Sequence, residues 1–201
     1  MKNFDYNEPI IEVLLNKHSH LRIMTDFLNN KEKPKVLEFG VARGSSTTAF
    51  LWYLEKTEGK LFSVDNVDYK NKFIDPNWKF IHCRDDDFSF VKSNIPNKFD
   101  LILLDTIHEA KHVEKIIYAY YDSLAVNHSF FIDDISWLPY LKDSDKNRFY
   151  AEVNNYETFS KILEIYFNNQ ENIKLEFNFH GTGMCKIKKI NNLKLNKARK
   201  I

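Results

Sequence analysis

The sequence predicts an α/β fold: a doubly wound, mostly parallel seven-stranded sheet with helices on both faces and a C-terminal antiparallel hairpin strand. Three observations carry this. Short apolar runs alternate with stretches of helical periodicity along most of the chain. The first five of those runs are continuously apolar rather than alternating, as strands buried on both faces require. The last two β-runs flank a tight glycine turn with no helix between them.

Taken in order, residues 8–29 place Ile11, Leu14, Leu15 and His18, then Leu21, Met24, Phe27 and Leu28, at helical spacing. Lys33–Pro34 ends that helical cap. A strand Lys35–Phe39 runs into Gly40, and Ser45 opens a helix with Phe50, Leu51 and Leu54 on its apolar side. Strands follow over Leu61–Val64, ending at Asp65, and over Lys79–Cys83, ending at Arg84–Asp85–Asp86. The strand Phe99–Leu104 ends at Asp105, and its helix buries Val113, Ile116, Ile117, Tyr120 and Leu124. A fifth strand, Ser129–Ile132, ends at Asp133–Asp134. A helix through Phe159, Ile162, Leu163, Tyr166 and Phe167 precedes the hairpin Ile173–Phe179 and Met184–Ile187, which turns at His180–Gly181–Thr182–Gly183.

With 201 residues and no internal repeat or low-complexity linker, the chain reads as a single domain over 1–201. Its parts are a helical cap (1–34), a ligand-binding core (35–189) and a basic tail (190–201). No apolar run is long enough to span a bilayer, and Asp5, Glu8 and Glu12 interrupt any signal-peptide core. Cys83 and Cys185 are too few for a disulfide framework, so a reduced, cytoplasmic setting is expected. Residues 186–201 carry seven Lys or Arg and no acid; without them the formal net charge of +1 becomes −6 for residues 1–185. An acidic body argues against nucleic acid as a partner. The basic tail reads as a solvated, frayed terminus.

Chemistry is expected at the carboxyl ends of the strands, where ligands of such sheets sit. Gly40 and Gly44 let backbone approach a ligand with no Cβ between. Asp65, 21 residues past Gly44, stands at the next strand tip, where a carboxylate accepts both hydroxyls of a ribose. NAD-binding proteins share that feature, so it does not choose the cofactor. The glycine spacing does: G-x-x-x-G replaces the G-x-G-x-x-G that meets a pyrophosphate. Glu38 and the later acids repel pyrophosphate but suit a ligand bearing a sulfonium and an ammonium, namely S-adenosylmethionine.

Asp105, Asp133 and Asp134 end two strands expected to be neighbours, and such oxygen donors suit Mg²⁺ or another hard divalent cation. His108, three residues past Asp105, is placed to act as a general base. Helix N-capping is the plain structural reading of the same acids. His108-Glu109-Ala110-Lys111-His112 also matches H-E-x-x-H, the signature of zinc hydrolases. Context argues against it, because both histidines precede a buried stripe that starts at Val113. Between Asp134 and Phe159, the aromatics Trp137, Tyr140, Phe149, Tyr150 and Tyr156 read as an acceptor wall or an anchored surface loop.

The stretches VLEFGVARGSS (36–46), FSVDNVD (62–68), FIHCRDDDF (80–88), FDLILLDTIHEAKHVEKIIYAYYDSL (99–124), FFIDDISW (130–137) and HGTGMCKIKK (180–189) resemble class I S-adenosylmethionine-dependent methyltransferases. They are most similar to the branch of macrocin-type sugar O-methyltransferases and cephalosporin-hydroxylase-like proteins. The resemblance implies a Rossmann-like fold in which Glu38, Gly40, Gly44 and Ser45 line the methionine end. It implies Asp65 at the ribose and Asp85 with Asp86 at the adenine. It further implies metal-assisted O-methylation of a small-molecule or sugar hydroxyl, with Asp105, Asp133 and Asp134 around the cation and Asp105 with His108 catalytic. Two departures stand out: Arg84 where glycine is usual, and Asn127–His128 for the usual Gly-Gly before the fifth strand, expected to alter only a turn. A protein of this fold that binds the cofactor without transferring methyl groups is the main alternative, and homo-oligomerisation is left open.

Overall fold

The structure, a computed structural model, describes residues 11–12, 15–16, 19–29, 31–137 and 149–197. Among the described residues, seven strands form one mixed sheet in the order β3-β2-β1-β4-β5-β7-β6, and the chain divides into two compact units, Met1–Leu103 and Leu104–Ile201.

In the first unit β1 (Lys35–Phe39), β2 (Lys60–Asp65) and β3 (Trp78–His82) run parallel, with Glu38 opposite Ser63 and Asp65 opposite His82. This register brings their carboxyl ends to one edge. β4 (Phe99–Leu104) buries Leu101, Ile102, Leu103 and Leu104, the two-sided burial its apolar run predicts. Helix α1 (His20–Leu28) is capped by the Ser19 side chain, which accepts from the Leu21 N–H at 3.1 Å, and it buries Met24 and Leu28. Leu21, Ile11, Leu15 and Trp52 pack around Ala49 of α2 (Ser45–Thr57). Leu14 and His18 of the expected cap lie outside the described residues.

Two features of this unit were not read from the sequence. The β2–β3 crossover, residues 66–77, contains no helix; aromatic rings cover the sheet instead. Phe73 meets Trp78 edge-on at 5.1 Å between centroids, and Tyr69 meets Phe80 at 6.4 Å. A short helix, α3 (Phe88–Asn94), was not anticipated. Seven residues burying only Val91 leave no readable periodicity, and its one local signal is Asp87, whose side chain accepts from the Phe90 N–H.

In the second unit α4 (Ala110–Tyr120) buries His112, Val113, Ile116, Ile117 and Tyr120. Strand β5 spans Leu124–Asp133, five residues earlier than expected at its start, because Asn127–His128 is not a turn. Asn127 adopts φ 66° within the strand, a left-handed conformation that Asn tolerates better than most residues, so the chain kinks and continues. Helix α5 (Phe149–Phe167) leads to β6 (Ile173–Asn178) and β7 (Met184–Lys189). β7 pairs antiparallel with both β5 and β6, with Cys185 opposite Ile132 and Phe177.

The described part of the basic tail is docked rather than frayed. Asn169 donates to the Asn196 carbonyl at 3.0 Å and accepts from its N–H at 2.6 Å. Asn172 donates to the Lys194 carbonyl, Tyr118 Oη donates to the Asn196 carbonyl, and Lys197 lies over the Tyr118 ring. Composition shows charge and not these amide contacts, which is why the tail reads as solvated in sequence. Deleting residues 190–201 is therefore expected to lower Tm in a thermal melt by roughly 5 °C or more, at ~1 kcal/mol per lost hydrogen bond. An unchanged melt would mean that the docking contributes nothing to stability.

Candidate active site

The turn after β1 is built by backbone conformations that only small residues take comfortably. Gly40 has φ 97°, Ala42 42° and Gly44 86°. Gly44 is the N-cap of α2, and the turn residues Ala42, Arg43 and Ser45 are exposed, so the start of this helix is open to a ligand. Lys72 reaches over from the β2–β3 crossover and donates from Nζ to the Ala42 carbonyl at 2.8 Å.

Asp65 organises this turn. Its Oδ2 accepts from the Val41 and Ala42 N–H groups at 2.8 and 3.3 Å, and its Oδ1 accepts from the Val67 N–H at 2.8 Å. Three of about four lone-pair positions are thus taken, leaving one for a ribose hydroxyl while all three bonds persist. Glu38 is fully buried. Its Oε2 accepts from Thr47 Oγ1 at 2.8 Å and Ser63 Oγ at 2.5 Å, and Ser63 Oγ accepts from Trp78 Nε1 at 2.9 Å. With no exposed surface, Glu38 braces the turn from beneath.

Asp85 and Asp86 follow β3 on the same edge. Asp85 is nearly buried. The carboxylates of Asp85 and Asp87 add to burial in pushing the Cys83 thiol up to about 11. Asp86 is held by Arg84, whose Nε and Nη2 donate to its two oxygens at 2.9 and 3.3 Å. The arginine standing where glycine is usual thus fixes the very acid expected at the adenine.

In the second unit a separate cluster forms from residues 105–109 and the end of β5. His108 Nε2 lies 3.4 Å from Asp134 Oδ2 and 3.8 Å from Asp105 Oδ1, and potential ligand atoms of the three lie within 4.8 Å of one another. Asp134 sits at φ 56°, a strained position for a residue with a side chain. Burial, with Asp133 and Asp134 adding repulsion, raises the Asp105 carboxyl from the ordinary aspartate range to about 6, against a lowering by His108. Asp133 therefore acts electrostatically on Asp105, but its Oδ1 accepts from Thr182 Oγ1 at 3.4 Å, and it is not among the three converging residues.

Thr158, on α5, was not anticipated: its Oγ1 donates to the His108 carbonyl at 2.6 Å and so fixes the loop that carries the imidazole. A contact between residues fifty positions apart leaves no local signal in the sequence. The H-E-x-x-H reading fails on geometry. α4 begins at Ala110 with Glu109 as its N-cap, so His108 lies outside the helix and does not share a helical face with His112. Tyr140 lies outside the described residues, as do the side chains of Phe149 and Tyr150.

Residues 37–135 match the model of a family described as a methyltransferase domain. Among solved structures, the chain is similar to the S-adenosylhomocysteine-bound methyltransferase PaMTH1 of Podospora anserina. That match has 14% identity and a TM-score of 0.69 over 95% of this chain and 90% of that one. It is also similar to MycE, a methyltransferase of the mycinamycin biosynthetic pathway solved with Mg, S-adenosylhomocysteine and mycinamycin VI. There the identity is 16% and the TM-score 0.64, over 93% of this chain and 54% of MycE, so the chain spans about half of MycE's length. At such identities the likeness is one of fold. No curated protein matches the sequence. Residues 37–135 thus carry a match to a methyltransferase domain, and the chain shares the fold of S-adenosylhomocysteine-bound methyltransferases. Among the described residues, no helix is long and apolar enough to cross a membrane.

Proposed function

We propose that this chain methylates a hydroxyl of a small-molecule or sugar acceptor, with assistance from a divalent cation. The observation that carries the reading is the convergence of Asp105, His108 and Asp134 within a methyltransferase fold. S-adenosylmethionine supplies an electrophilic methyl group on its sulfonium. The turn 40–45, exposed at Ala42, Arg43 and Ser45, would receive the methionine end, with Ser45 at the open helix start, while Asp65 would take a ribose hydroxyl and Asp85 the adenine edge. Asp86 contributes there only as far as Arg84 releases it.

Asp105 and Asp134, with Asp133 adding charge, would hold Mg²⁺ or a similar cation, which lowers the pKa of an acceptor hydroxyl. His108 takes the hydroxyl proton, with Thr158 keeping the His108 backbone in place. MycE, solved with Mg and S-adenosylhomocysteine, supports a reading that calls on both a cofactor and a cation.

Titration calorimetry with S-adenosylhomocysteine tests the cofactor half. Affinity in about the micromolar range is expected, with Asp65→Ala weakening it by about tenfold or more through the loss of a charged acceptor and of the turn's anchor. Labelled-methyl transfer to a hydroxyl library, with and without chelator, tests the rest. Asp134→Ala is expected to lose transfer while keeping cofactor affinity. Transfer that is indifferent both to chelator and to that substitution would sink the metal-assisted reading.

A further inference from the structure

Just beyond Asp134 the second unit exposes a cluster of five aromatic side chains. Trp137 stands 4.4 Å from Phe159, 5.6 Å from Phe179 and 5.7 Å from Tyr156 between ring centroids, and Phe159 lies 4.9 Å from Phe177. None of the five is fully buried; Tyr156 is 54% and Phe179 39% exposed. We propose that this cluster is the acceptor platform and that the acceptor is a planar, largely apolar ring compound, an aryl or fused-ring alcohol, rather than a saccharide. The inference rests on the methyl-transfer reading for the role of the hydroxyl.

Three observations support it. First, the two segments that carry Trp137, Tyr156 and Phe159 also reach the acid–histidine cluster. Trp137 is three residues past Asp134, and Thr158, on the same helix as Tyr156 and Phe159, donates to the His108 carbonyl. A ring seated on the platform would therefore direct a substituent toward His108. Second, the platform is held rigidly. Ile135 and Ser136 donate from their N–H groups to the Gly183 and Thr182 carbonyls at 3.2 and 2.9 Å, and Asn155 Nδ2 donates to the Ser136 carbonyl at 2.8 Å. A Cβ on Gly183 would stand 2.5 Å from Ser136 Cβ, so this close seating needs glycine.

Third, among the described residues, three polar side chains near the rings are already engaged. Asn155 serves Ser136, Asn178 Oδ1 accepts from the His180 N–H at 2.8 Å, and Thr182 donates to Asp133. A sugar needs several convergent hydrogen-bonding partners for its hydroxyls, whereas this surface offers ring faces and edges.

Calorimetry with 2,3-dihydroxynaphthalene and with methyl α-D-glucoside, each with Mg²⁺ and with or without S-adenosylhomocysteine, tests the proposal. The naphthalenediol is expected to bind and the glucoside not. Trp137→Ala and Tyr156→Ala are each expected to weaken naphthalenediol binding by about tenfold, with S-adenosylhomocysteine affinity unchanged. Tyr156 is exposed enough for its variant to fold, and Tyr156→Phe should restore binding. Glucoside binding without naphthalenediol binding, or naphthalenediol affinity indifferent to both alanine variants, would overturn the aromatic acceptor and leave methyl transfer standing. Ring-dependent naphthalenediol binding by a protein that takes no S-adenosylhomocysteine would support the platform and overturn methyl transfer instead.

Discussion

Methyl transfer is expected to fall about tenfold per pH unit below about 6, the value to which the Asp105 carboxyl is raised. Desolvation and the neighbouring Asp133 and Asp134 carboxylates make ionised Asp105 costly, and protonation removes the charge that a cation or an imidazolium at His108 would meet. The same shift has the opposite sign for folding of the cation-free chain. Folded Asp105 binds its proton more tightly than unfolded Asp105 does, so as pH rises from about 4 to 6 the folded state gives up a proton it favours. Stability should decline across that window and level off above it. The side chain is 40% exposed, so solvent screens part of this effect.

A bound divalent cation inverts the balance, because it needs the ionised carboxylate and competes with the proton. Adding Mg²⁺ should therefore raise Tm more at pH 7.5 than at pH 5 and move the acid limb of the rate profile lower. Asp105→Asn should flatten the stability profile and reduce transfer by roughly a thousandfold. Rate profiles and melts at both pH values, with and without Mg²⁺, check this. A rate profile with no acid limb at any Mg²⁺ concentration would show that Asp105 has no part in transfer.

Much of the architecture was legible because buried parallel strands impose an unmistakable composition. The runs 35–39 and 99–104 are bounded in the structure as the apolar pattern bounds them. What escaped is what side-chain identity does not encode locally. Residues 66–77 cover the sheet with packed rings that no local pattern announces, and β5 passes through Asn127, where polarity suggested a break. At the site, strand-end position singled out Asp65, Asp105 and Asp134 as candidates together with Glu38, Asp86 and Asp133, and did not distinguish accessible acids from engaged ones. Glu38 turns inward to Thr47 and Ser63, Asp86 is claimed by Arg84, and Asp133 meets Thr182. Each of those partners lies on a different element or in a turn whose course the sequence leaves open.

Gly44→Ala is expected to destabilise the fold by ~2–4 kcal/mol and to weaken cofactor binding together with it. Two costs combine. At φ 86° an L-residue with a Cβ sits in the left-handed region, which costs ~1 kcal/mol or more. The added methyl would also stand 2.6 Å from Phe73 Cζ and 2.9 Å from Lys72 Cε. Lys72 Cε belongs to a flexible chain and can swing aside at the expense of its bond to the Ala42 carbonyl. Phe73 cannot, because it is buried and set edge-on against Trp78, whose indole reaches Ser63 and through it Glu38. Relief of the clash must therefore move the turn itself, along with the N–H groups that Asp65 gathers.

Gly181 separates the two costs. It has φ 60° but nothing within 4 Å of an added Cβ, so Gly181→Ala should carry the conformational cost alone, ~1 kcal/mol, with cofactor affinity unchanged. Denaturant unfolding and S-adenosylhomocysteine titration of the two variants compare the effects directly. Equal losses of stability, with cofactor affinity kept in both, would mean that the packing of Phe73 on Gly44 plays no part in shaping the turn.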